Sequence, residues 1–160
     1  MLRKKEMVSA FIAQLESDLR TMIQAARDAH EAATNEESQP ENEYDTRGLE
    51  ASYLAGAQAK RAAEIDEVLS LFKNTPFKDF REGDPIQATA LIDLKIDGKD
   101  NQVLLMPKGG GVRIQYQGHP IQIVTPQSNL GRALVGLKAG DTTEFEVGPA
   151  LRECEVLTVR

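Results

Sequence analysis

Glu31-Ala32-Ala33-Thr34-Asn35-Glu36-Glu37-Ser38-Gln39-Pro40-Glu41-Asn42-Glu43-Tyr44-Asp45 is where a regular pattern stops and another begins. On its N-terminal side, Val8, Phe11, Ile12, Leu15, Leu19, Met22, Ile23, Ala26 and Ala29 recur in steps of three and four. Such steps place apolar side chains on one stripe of a helix, here from Leu2 to about Ala33, with no Pro or Gly to interrupt it. On its C-terminal side, Leu49, Tyr53, Leu54, Ala57, Ala63, Ile65, Val68, Leu69 and Phe72 mark a second helix, from about Tyr44 to Phe72. Asn35, Ser38 and Pro40 are turn-type residues, and Pro40 disfavours helix at Gln39. A short connection makes two long helices antiparallel neighbours, so residues 1–76 are expected to form a coiled-coil hairpin with an acidic tip. Each helix would run on the order of 45 Å at ~1.5 Å per residue. Gly48 and Gly56 interrupt the second helix at a cost in stability.

From about Asp84 the period falls to two. Ile86, Ala88, Ala90, Ile92, Leu94 and Ile96 alternate with other residues, and Asp97-Gly98 is a hairpin-turn signal before Val103-Leu104-Leu105-Met106. Turns at Lys108-Gly109-Gly110-Gly111 and Gly118-His119-Pro120 bracket a strand through Val112, Ile114 and Tyr116. A further strand follows at Ile121–Val124. Ser128 is placed to cap a short helix from Asn129 to Val135. Two last strands are expected at Thr143–Val147 and Cys154–Val159. The fold class is therefore α+β: a helical hairpin over residues 1–76 and a small antiparallel β domain with one short helix over residues 77–160.

Composition narrows the function. The net charge of −6 argues against direct binding to a nucleic-acid backbone, which needs a surplus of Lys and Arg on one face. It leaves contact with a nucleic-acid enzyme open. There is no Trp and aromatics are 5%, against a large aromatic-lined ligand pocket. Cys154 is the sole cysteine, which excludes an internal disulfide and fits a reducing compartment. No run of about 18 apolar residues exists to cross a membrane. Met1-Leu2-Arg3-Lys4-Lys5-Glu6-Met7 lacks the apolar stretch of a signal peptide, so a cytoplasmic location is expected.

Six carboxylates, Glu31, Glu36, Glu37, Glu41, Glu43 and Asp45, fall in the stretch from Glu31 to Asp45 with no Lys or Arg among them. Like charges so close repel one another. Two readings stand: a solvated acidic loop, or oxygen ligands for a hard cation such as Mg²⁺, which needs only one or two protein carboxylates. His30 lies near the end of the first helix, where it could assist a metal or simply sit in solvent against the helix C-terminus. His119 is expected in a turn. Lys108-Gly109-Gly110-Gly111 precedes a strand and not a helix, so it reads as a hairpin turn and not a phosphate loop. No Cys/His nucleophile pair or zinc site follows from the spacing.

Glu41-Asn42-Glu43-Tyr44, between two long helices, resembles the acidic tip motif of the bacterial Gre family, the transcript-cleavage factors of RNA polymerase. The stretch Val124-Thr125-Pro126-Gln127-Ser128-Asn129-Leu130-Gly131-Arg132-Ala133-Leu134-Val135-Gly136, followed by Ala139-Gly140-Asp141, is similar to that family's Ser-Pro…Gly-x-x-Leu-(Ile/Val)-Gly segment. The resemblance implies an FKBP-like C-terminal domain that docks at the rim of the polymerase secondary channel, and a coiled coil that enters it. It implies tip carboxylates that help hold the second catalytic Mg²⁺ while the polymerase hydrolyses backtracked RNA, in accord with two-metal chemistry. Such a factor is not itself an enzyme and has no cofactor of its own. Its partner is the polymerase core and, indirectly, nascent RNA, with no membrane and no small-molecule substrate; a monomer is expected. The family pattern is Asp-x-x-Glu-Asn-x-Glu-Tyr. Aligned on Glu41-Asn42, Ser38 stands at the Asp position; aligned on Glu43-Tyr44, Glu37 stands there but Pro40 takes the first Glu position. Glu41 is the first choice as a metal-holding residue and Glu37 the next, with Glu36, Glu43 and Asp45 open. Asn42 and Tyr44 would orient the tip. The alternatives are a channel-binding regulator without cleavage activity and a coiled-coil adaptor unrelated to polymerase. An FKBP-like domain also raises prolyl-isomerase activity, but Phe77, Phe80, Tyr116 and Phe145 are too few to wall such a pocket.

Overall fold

The computed structural model describes residues 4–35 and 47–160, with the backbone alone for residues 47–53. The chain forms two compact units, one of Met1–Phe11 with Thr75–Arg160 and one of Ile12–Asn74. The first turns of the leading helix thus group with the C-terminal segment, where the sequence suggests a single boundary near residue 76.

The Ile12–Asn74 unit is helical. Helix α1 spans Lys4–Thr34 and helix α2 spans Arg47–Asn74. Lys73, at the end of α2, forms an ion pair of 2.7 Å with Glu16, early in α1. A pairing of late α2 with early α1, across a connection of residues 35–46, makes the helices antiparallel. Within this unit Leu15, Leu19, Met22, Ala26, Ala29 and Ala33 of α1 are buried or half-buried at the alternating four-and-three spacing of a coiled-coil seam, flanked by half-buried Ile12, Gln14, Glu16 and Ala25. Ile23, expected on the stripe, is 37% exposed. In α2 the inward positions are Ala55, Gln58, Ala62, Ile65, Val68, Leu69, Leu71 and Phe72, mostly in steps of three and four. Of the expected stripe, Ile65, Val68, Leu69 and Phe72 face inward, but Leu54, Ala57 and Ala63 are exposed, Leu54 at 52%. Alanine is common on both faces of α2 and gives no direction, so hydropathy alone does not orient this helix.

The second unit is built on a six-stranded sheet. Its strands are β1 Leu91–Ile96, β2 Lys99–Leu105, β3 Arg113–Tyr116, β4 His119–Val124, β5 Thr142–Val147 and β6 Ala150–Val159, in the order β3-β4-β2-β1-β6-β5. One short helix, α3, spans Asn129–Leu134. Four of the strand pairings are antiparallel and one, β2 with β4, is parallel, so the sheet is mainly antiparallel, as expected. Burial explains the order. Ile121, Ile123 and Val124 are buried, so β4 takes an interior position beside β2. Arg113 and Gln115 are exposed, so β3 takes the edge.

Alternate residues of the sheet, Ile92, Leu94, Val103, Leu105, Val124, Phe145, Cys154 and Val156, form a core with Ile86 and with Leu134 of α3. The opposite parity carries Leu91, Leu104, Ile121 and Ile123, which are also buried. In the same unit Lys4 of α1 is 8% exposed. Its Nζ donates to the carbonyls of Lys78 and Arg160 and lies 4.6 Å from the centre of the Phe80 ring.

Three strand boundaries differ from expectation. The alternation from Asp84 does not continue as one strand, because Gln87–Ala90 is a turn with Thr89 at φ 74°. That turn lets Ile86 pair with Leu137 and Gly136 while Ala90 pairs with Leu105. The hairpin between β3 and β4 turns at Gln117-Gly118, both at positive φ, and His119 and Pro120 open β4. Strand β6 begins at Ala150, after a turn through Gly148 at φ 58°; exposed Leu151, Arg152 and Glu153 give no burial signal. The Asp97-Gly98 turn appears as read, with φ of 46° and 77°.

Candidate functional site

Helices α1 and α2 lead into the acidic connection. From Glu16 to Thr34, α1 advances roughly 27 Å at ~1.5 Å per residue. Its last turn contains no basic residue, so the partial negative charge of the helix C-terminus runs uncompensated into a carboxylate-rich sequence. Asn35 N donates to Glu31 O at 2.8 Å and Thr34 Oγ1 to His30 O at 3.0 Å, so the last turn is closed by both a backbone and a side-chain donor. His30 and Glu31 are exposed, and Asp28 accepts from Gln24 at 2.8 Å. Glu36, Glu37, Glu41, Asn42, Glu43, Tyr44 and Asp45 lie outside the described residues, as do Ser38 and Pro40. Among the described residues no group of His, Cys, Asp and Glu is arranged to hold a metal ion, and no helix is long and apolar enough to cross a membrane.

The second motif segment is fully described, and backbone geometry accounts for its unusual residues. Ser128 caps α3: its Oγ accepts from Gly131 N at 3.1 Å and donates to Thr125 O at 2.8 Å. Gly131 sits so close to the preceding turn that a Cβ there would lie 1.8 Å from Thr125 O. Gly136 has φ 85° just past the helix, and Gly140 has φ 92° and donates from its N–H to Val156 O. Asp141 Oδ2 accepts from Lys138 N at 2.8 Å, closing that turn. These residues shape the turn before α3 and the connection from α3 to β5.

The sheet carries a polar cluster that the sequence reading does not single out. Asp93 accepts from Gln102 Nε2 at 2.7 Å, from Thr158 Oγ1 at 2.6 Å and from Arg160 Nη2, so one carboxylate ties β1 to both its neighbours. Gln102 Oε1 and Arg160 Nε are buried without a hydrogen-bond partner. A cleft of about 640 Å³ includes these four residues with Leu94, Val103, Arg113, His119 and Gln122 in its lining, and no Phe or Tyr. One polar residue inside an alternating strand reads as solvated, so only the cross-strand register reveals the cluster. Cys154 is buried, and desolvation pushes its thiol up to about 11, which leaves it protonated and unreactive at neutral pH. His119 is exposed.

No protein-family model matches the chain, and no curated protein matches it. Among solved structures it is similar to the transcription factor Gfh1, at 16% identity over 94% of each chain with a TM-score of 0.40. It is similar to GreA factor homolog 1 (Gfh1) of Thermus thermophilus, at 20% identity over 93% of this chain and 94% of that one, with a TM-score of 0.39. It is also similar to the prokaryotic transcription elongation factor GreA/GreB from Nitrosomonas europaea, at 18% identity over 59% of this chain and 78% of that one, with a TM-score of 0.36.

Proposed function

We propose that this chain is a Gre-like accessory factor of bacterial RNA polymerase, which inserts its helical hairpin into the secondary channel and stimulates cleavage of backtracked RNA. One observation carries the reading: Glu41-Asn42-Glu43-Tyr44 stands between two long paired helices, in a chain that also holds the Thr125–Gly136 segment. A compact acidic loop would not need helices of 31 and 28 residues to present it; a projection that must reach a distant site would. Glu41, with Glu37 next and Glu36, Glu43 or Asp45 in support, shares the catalytic Mg²⁺ with the polymerase. Asn42 and Tyr44 orient the loop. A Mg²⁺ held there would supply stabilisation of the attacking and leaving oxygens, and the factor would contribute carboxylate ligands and no chemistry of its own. It acts as a monomer in the cytoplasm and meets nascent RNA only through the polymerase.

Ser38 and Pro40 favour a second reading. In either alignment of the tip motif one of them displaces a carboxylate, and a hydroxyl or an imino acid is a poor Mg²⁺ ligand. A factor so altered would occupy the channel and regulate the polymerase without promoting cleavage. The experiment is to incubate backtracked elongation complexes with the protein and Mg²⁺ and to follow the 3′ RNA fragments. Fragment release that is lost in Glu41→Ala supports the first reading. Cleavage that persists unchanged in Glu41→Ala removes the metal-holding role of Glu41. Binding without cleavage establishes the regulator, and failure to bind core polymerase leaves a coiled-coil adaptor.

A further inference from the structure

We draw no further inference here: the strongest candidate, the face of the β5–β6 strand pair that carries Glu144, Glu146, Glu153 and Glu155 beside the exposed Leu151, is an acidic cluster around one unpartnered apolar side chain, and nothing in the structure shows what covers it.

Discussion

Two glycine-to-alanine substitutions in helices should move stability in opposite directions. Helix propensity favours Ala over Gly by roughly 1 kcal/mol at both sites. At Gly56 in α2 nothing lies within 4 Å of the added Cβ, so Gly56→Ala should stabilise the helical unit by about that amount. At Gly131 in α3 the Cβ would lie 1.8 Å from Thr125 O, 2.6 Å from Thr125 C and 3.0 Å from Ser128 Oγ. The first two are backbone atoms and cannot swing away, so α3 must move from the turn. Overpacking of this kind costs about 1–3 kcal/mol, and loss of the Ser128 cap adds ~1 kcal/mol. After the propensity gain, Gly131→Ala should cost the sheet-bearing unit about 1–3 kcal/mol. Hydrogen exchange followed by mass spectrometry separates the two units. Protection of β1 and β2 amides should fall roughly 5- to 150-fold in Gly131→Ala, while protection in α2 rises about fivefold in Gly56→Ala. If Gly131→Ala protects the sheet as well as the parent chain does, the close approach to Thr125 is not real, and the structural account of the motif glycine fails.

Lys4 gives a pH dependence with a definite sign. Burial lowers its amine to about 8, only partly offset by Asp79, against 10.5 for an exposed lysine. Between those values the unfolded chain binds more protons, so this contribution to stability grows as pH rises from 8 towards 10.5 and is flat below 8. The difference in urea midpoint between the parent chain and Lys4→Met should therefore increase in favour of the parent from pH 7.5 to pH 9.5; a constant difference would show that Lys4 is not buried. Gln58 occupies an inward position of α2 with its Oε1 buried and unpartnered. Gln58→Leu should raise the stability of the helical unit by about 1–2 kcal/mol, read from the thermal midpoint by circular dichroism, and a fall would mean that the amide has a partner.

The hairpin was legible because α1 repeats Leu15, Leu19, Met22 and Ala26 with side chains large enough to fix a face. The face of α2 was legible at Ile65, Val68, Leu69 and Phe72 but not nearer its start, because Ala57 and Ala63 carry too little apolar area to distinguish a core position from a solvent one. In the sheet-bearing unit, Asp97-Gly98 and Ser128 could be read locally, since a turn and a cap act over a few residues. The parallel pairing of β2 with β4 depends on which strand is buried on both faces, and a single strand's alternation does not report that. The Asp93 cluster joins Gln102, 9 positions away, with Thr158 and Arg160, 65 and 67 positions away, and no local pattern signals the distant pair.

The two motif segments differ in what they say about function. Ser128, Gly131 and Gly136 each answer a demand of the backbone, so any chain that folds this way would need similar residues, and their presence speaks first for the fold. The carboxylates between Glu36 and Asp45 differ in kind: clustered like charges that follow the negative end of α1 in sequence repel one another and oppose folding. Residues that the fold does not need are where function should be sought, and this makes the alignment of the tip decisive. If Glu41-Asn42 sets the register, Ser38→Asp completes the carboxylate pair and should raise Mg²⁺-dependent fragment release on the order of tenfold, or ~1.4 kcal/mol of transition-state stabilisation. Pro40→Glu should then do little. If Glu43-Tyr44 sets it, Pro40→Glu completes the pair with Glu37 and the ranking reverses. Comparable gains in both variants would mean that added negative charge, and not placement of a ligand, governs the response, and the metal-holding assignment of Glu41 would fall.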